Sequence, residues 1–278
     1  MAECRPTRER AQLTRYACRG KALSAWLGGG ARLSSHRSRE RRSARRAALD
    51  HDELVLGAAS PRNRGRALGR GWSALLLFPP AGGDAREVER CQLIAALEEP
   101  LRERRIKVYT PDGIPARGWT DPSMPPHERA TLQLRYADYV YNELVPFIRG
   151  DCFDPGLEIV AAGAAFGAFN ALMALCRHPD AFRAAICLSG IYDLEHFMGG
   201  AHTLDFHFAS PLHFLPYLDE GEHLETLRGR IAVLAMGGGR FEEPQDSWRM
   251  ADVLGSRGVP NRVDDWARAS ITTGPPGA

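Results

Sequence analysis

Apolar and polar positions follow two distinct rhythms from about residue 67 onward, and together they predict an α/β chain. "WSALLLF" (72–78) is a short continuous apolar run closed by "PPAGGD", the pattern of a buried strand. In "VERCQLIAALEEPLRER" (88–104), Val88, Cys91, Leu93, Ile94, Leu97 and Leu101 share one broad helical face. "IKVYTPD" (106–112) predicts the next strand. The Pro-rich "IPARGWTDPSMPPHE" (114–128) predicts a loop, and "LQLRYADYVYNELVPFIR" (132–149) a second amphipathic helix. Then come a strand "LEIVAAG" (157–163), a helix over 166–178 and a strand "AAICLSG" (184–190). After a long excursion follow a strand "IAVLAMG" (231–237), a helix "DSWRMADVLGSRG" (246–258) stopped by Gly258, and a short strand "NRVDDW" (261–266). Strands alternating with helices predict a mostly parallel sheet with helices on both faces. No internal repeat is visible.

Composition adds a division of the chain. Its 278 residues, 44% apolar and 25% charged, suit a globular protein with a core. The net charge of +2 hides an asymmetry. Residues 1–70 carry 17 Lys+Arg against 6 Asp+Glu, and the other 208 carry 19 against 28. The chain thus divides into a basic arm (1–66), a folded domain (67–266) and an irregular Gly/Pro/Thr-rich tail (267–278). The arm, with "RLSSHRSRERRSARRAALD", is expected to be disordered. Alternatives are a stretch not normally translated, an anion- or nucleic-acid-binding arm, and a targeting segment. Nucleic acid is not the expected partner. No stretch approaches the roughly 18 apolar residues of a membrane span. Cys4, Cys18, Cys91, Cys152, Cys176 and Cys187 show no C-x-x-C pattern. Reduced thiols in a cytoplasmic protein are expected, with Cys176 and Cys187 in the core.

The chemistry centres on "IVAAGAAFGAF" (159–169), where an apolar strand runs through Gly163 and Gly167 into a helix. That is the frame of a nucleophile elbow, G-x-S-x-G, with Ala165 at the serine position. Small residues are needed there because strand and helix backbones come close, and Gly163, Ala164, Gly167 and Ala168 meet that demand. The backbone device is expected to persist while the nucleophile is missing.

The stretch "YVYNELVPFIR…LEIVAAGAAFGAFNALMALCRHPDAFRAAICLSGIYDL" resembles the esterase family of the α/β-hydrolase superfamily that includes esterase D-like and antigen-85-like proteins. The likeness runs over roughly 67–266. It implies an α/β-hydrolase-like fold, here C-terminally shortened, and a carboxylic-ester hydrolase. It implies an acid at Glu242 or Glu243, in the loop after "IAVLAMG". It also implies oxyanion donors from the N–H of Phe166 and from the loop near Ala81 or Gly82. The base histidine should follow "VDDW", yet the last of the nine histidines is His223. Two of three triad positions are therefore empty, and the chain is expected to be catalytically impaired, binding a small acyl-type ligand or a partner if it acts at all. Self-association is expected, because a missing last helix would leave apolar sheet surface uncovered.

Other candidates fit plainer readings. Ser189, with His196 or His202, is the alternative nucleophile and base; otherwise it is a polar residue at a strand end. His202, Asp205 and His207 lie close together, with Asp193, His196, His213 and His223 nearby, but without fixed metal-ligand spacing, and no metal is expected. No Walker A loop or G-x-G-x-x-G occurs, and no cofactor is expected.

Overall fold

A computed structural model describes residues 73–81, 83–239 and 242–266. The basic arm, the tail after Trp266 and Gly82 lie outside the described residues. Six strands form one parallel sheet: β1 (Ser73–Phe78), β2 (Ile106–Tyr109), β3 (Ile159–Ala164), β4 (Phe182–Leu188), β5 (Ile231–Met236) and β6 (Asn261–Asp265). Their order is β2-β1-β3-β4-β5-β6, with every neighbouring pair parallel. The apolar runs mark strands covered on both faces, as parallel pairing requires. Period-two alternation then splits them: Leu76 and Phe78 enter one core cluster, Leu75 and Leu77 the other.

The second face is covered by the segment following β1, and here the expected single helix is not found. Residues 88–104 form three short helices instead: α1 (Glu87–Arg90), α2 (Leu93–Ala96) and α3 (Glu98–Arg102). Gln92 takes a left-handed conformation (φ 57°) that ends the first turn. Pro100 has no N–H to donate, and its ring would clash with the carbonyl of Ala96 in a continuous helix. Val88, Cys91, Leu93 and Leu97 are still buried together, so the apolar face survives the breaks.

The Pro-rich stretch 114–128 also departs from expectation. It holds helix α4 (Ile114–Thr120), and helix α5 (Pro126–Tyr139) begins inside it. Pro115 and Pro126 occupy first-turn positions, where the missing N–H has no intrahelical partner to lose. Burial holds α4 in place: Trp119 is 1% exposed, and its Nε1 donates to Oε1 of buried Gln133 at 3.1 Å. A π-helical turn over Val140–Leu144 joins α5 to α6 (Val145–Asp151). It lies just before Pro146, which again lacks a donor.

Helix α7 (Phe166–Arg177) runs through the middle of the larger core, with every residue from Phe166 to Cys176 buried. The excursion after β4 is a set of short helices: α8 (Glu195–Met198), α9 (Leu204–Ala209), α10 (Pro211–Phe214) and α11 (Glu222–Arg228). Helix α12 (Pro244–Ser256) then packs on β5 and β6, and Gly258 (φ 73°) makes the turn into β6. The direction in which successive strands are added reverses between β1 and β3, since β2 lies to one side of that pair and β4–β6 to the other. Open parallel sheets place their ligand crevice at such a reversal, beyond the strand C-termini. There β3 ends in the glycine-flanked turn.

Candidate functional site

The turn from β3 into α7 has the geometry of a nucleophile elbow. Ala165 sits at φ 53°, ψ −117°, a region L-residues rarely occupy. Its N–H donates to the Leu188 carbonyl of β4 at 3.0 Å, and its carbonyl accepts from Ala168 N (3.1 Å) and Phe169 N (3.2 Å). The flanking glycines are dictated by close backbone approach. A Cβ on Gly163 would lie 2.3 Å from the Gly167 carbonyl carbon, and one on Gly167 would lie 2.3 Å from the Phe78 carbonyl oxygen. The chain therefore keeps the strained turn and presents a methyl group on it.

Phe166 is the first residue of α7, so its N–H has no intrahelical acceptor and sits at the positive end of a 12-residue helix. Across from it runs the loop after β1. Ala81 is buried, Gly83 N donates to the Pro80 carbonyl (3.0 Å), and Ala85 N donates to Asp112 Oδ1 (2.9 Å). Of the two predicted second donors, Ala81 sits on this tied-down loop and Gly82 lies outside the described residues.

Ala165 lines a cavity of about 590 Å³. Ser189, Gly190 and Ile191 enter it from the end of β4, and Asp193, Glu195, His196 and Phe197 from the start of the excursion. Glu242, Glu243 and Asp246 enter from the β5–α12 segment. The two predicted acids thus share one cavity with the elbow. Glu242 Oε2 accepts from Gly237 N, which folds its carboxylate back onto the loop. Asp246 Oδ2 accepts from the N–H groups of Tyr192 (3.0 Å) and Asp193 (3.2 Å), pinning the mouth of β4 to α12. Asp193 pairs with Arg249 at 2.5 Å, and Glu195 lies 3.3 Å from His213 Nε2. Burial lowers the His213 pKa, with Glu195 pulling the other way. Residues 240–241 of the same loop lie outside the described residues.

Ser189 holds a left-handed conformation (φ 47°) and donates its N–H to the Ala235 carbonyl at 2.7 Å. It lines the cavity together with His196, whereas His202 does not. Thr131 Oγ1 donates to Asp205 Oδ2, tying α9 to α5. Among the described residues no three His, Cys, Asp or Glu side chains are grouped to hold a metal ion. Cys176 and Cys187 are buried in the core, and burial pushes Cys187 up to about 12 and Cys176 higher still. Asp246, Glu195 and Phe197 were not legible as site residues, because two segments about fifty residues apart, α8 and α12, bring them together. The one sequence signal was an acid in the first turn of α12, directly after the β5 loop.

The parallel sheet and the strained strand–turn–helix at its reversal point define the α/β-hydrolase fold. The family model described as Putative esterase matches residues 88–251, and the chain belongs to that family. Solved structures agree on the fold. A ferulic acid esterase aligns with TM-score 0.51 and 18% identity over 73% of this chain and 84% of its own. An S-formylglutathione hydrolase from Agrobacterium tumefaciens aligns with TM-score 0.50 and 13% identity over 72% and 78%. Mycobacterium tuberculosis MPT51 (FbpC1) aligns with TM-score 0.50 and 17% identity over 72% and 82%. No curated protein matches the chain significantly. Among the described residues, no helix is long and apolar enough to cross a membrane.

Proposed function

We propose that this family member is a non-catalytic esterase relative that binds a small acyl-type ligand in the elbow cleft. The observation that carries the reading is Ala165: the strained turn is kept, and its side chain has no nucleophilic atom. Among the 278 residues no histidine follows His223, which supports the same reading. In this reading Glu242 or Glu243 is the remaining acid, and the Phe166 N–H, with Ala81 on the opposing loop, supplies oxyanion donors. Without nucleophile and base these groups bind a carbonyl but do not turn it over. Removing a triad serine alone costs on the order of 10⁶-fold in kcat, which puts the expected rate near background. The test is Ala165→Ser. Restored fast hydrolysis of short aryl esters would show that a competent base exists and would remove half of the reading.

A second reading rests on Ser189, which shares the cavity with His196, Glu242 and Glu243 and is held at positive φ. It makes the chain an active ester hydrolase with a displaced nucleophile. Covalent labelling by a serine-directed phosphonate at Ser189 would favour it, and absence of an adduct would remove it. We place the protein in the cytoplasm; Cys176 and Cys187 lie buried in the core as thiols, which supports a reducing compartment.

A further inference from the structure

We propose that the elbow cleft selects ligands bearing an organic ammonium group. The proposal rests on the reading of this cleft as a ligand site and adds the charge class of what enters. Five carboxylates line the cavity: Asp193, Glu195, Glu242, Glu243 and Asp246. Only two have a basic partner among the described side chains, Asp193 with Arg249 and Glu195 with His213. Glu242 and Asp246 are held by backbone N–H groups, which fix a carboxylate but leave its negative charge in place. Glu243 is exposed at the rim. Glu242, Glu243 and Asp246 leave a net negative charge on the described lining, alongside the neutral Ser189 and the imidazole of His196, so an anionic ligand is disfavoured and a cation is drawn in.

The rest of the lining decides which kind of cation. The floor is the Ala165 methyl group, and the wall includes Ile191 and Phe197. The Phe197 ring is wedged between Phe166 (centroids 5.6 Å apart) and Trp119 (6.1 Å), with His196 against it at 3.7 Å. A fixed aromatic and aliphatic wall under a carboxylate rim matches an alkylated ammonium, which offers apolar surface and diffuse positive charge together. A bare metal ion would instead need converging oxygen or nitrogen ligands, and the described side chains form no such group.

The full chain would be titrated by calorimetry with acetylcholine and with its uncharged isostere, 3,3-dimethylbutyl acetate. Acetylcholine is expected to bind about tenfold more tightly than the isostere. Glu243→Gln, an exposed substitution with no described ion pair to break, is expected to weaken acetylcholine about threefold and leave the isostere unchanged. Raising the salt concentration should erode acetylcholine binding alone. Equal binding of the two probes, tighter binding of the isostere, no acetylcholine binding, or selectivity unaffected by both E243Q and salt would each overturn the proposal. Hydrolysis of either ester, followed in the same samples, would instead overturn the non-catalytic reading while leaving charge selectivity to be judged by the affinities.

Discussion

Replacing Gly167 by alanine is the sharpest perturbation of this fold. The added Cβ would lie 2.3 Å from the Phe78 carbonyl oxygen, 2.9 Å from the Pro79 oxygen and 3.0 Å from the Phe78 carbonyl carbon. Even a weak C–H···O contact keeps carbon and oxygen about 3.3 Å apart, so the nearest approach is short by about 1 Å. All three obstructing atoms are backbone, and no rotamer change relieves them. Helix α7 must move away from β1, and every residue of α7 from Phe166 to Cys176 is buried. Overpacking costs about 1–3 kcal/mol where side chains can shift, and the upper end applies here. Against a domain stability of about 5–15 kcal/mol, urea unfolding should show a midpoint lower by about 1 M. Gly150→Ala in α6 is the control, since a Cβ there meets nothing within 4 Å. It should be neutral or stabilising by up to about 1 kcal/mol, because glycine is the poorer helix former. Equal midpoints for G167A and the wild type would refute the close-approach argument, as would equal destabilisation by the two substitutions.

Three further outcomes are expected. Burial lowers His178 from 6.5 to about 4, so between those values the unfolded chain takes up a proton that the folded one refuses. Stability should fall as pH drops from about 6.5 toward 4 and be flat above, and His178→Gln should flatten the fall; an unchanged Tm profile would contradict this. Under native conditions Cys152, partly exposed, should react with a maleimide well before Cys91, Cys176 and Cys187, all buried; peptide mapping that finds Cys176 or Cys187 labelled first would show a looser core. Exposed Phe153, Leu204 and Tyr217 (80%, 72% and 78%) support self-association, and sedimentation of a soluble monomer would oppose it.

The strands were legible because parallel pairing demands uninterrupted apolar runs, and "SALLLF", "IVAAGA" and "IAVLAM" carry that signal directly. The elbow was legible because only small residues fit where Gly163 meets Gly167, a steric demand visible in the sequence. The break-up of 88–104 was not, since Val88, Cys91, Leu93 and Leu97 keep a helical spacing while Gln92 turns left-handed. The start of α5 was hidden for a different reason. Prolines at 125 and 126 look alike as loop residues, yet only Pro126 lies inside the helix, where a missing N–H costs nothing. The acidic lining was least visible. Asp193 and Asp246 come together through hydrogen bonds spanning more than fifty residues, and no local pattern encodes that.

In the proposed reading Ala165 leaves the elbow without a nucleophile and nothing in the cleft replaces it. The most direct test is hydrolysis of short and medium acyl aryl esters by the unmodified protein, with Ser189→Ala and heat-inactivated protein alongside. Turnover should be indistinguishable among the three. Rapid turnover by the unmodified protein that is abolished by S189A would contradict it and move the chemistry one strand over.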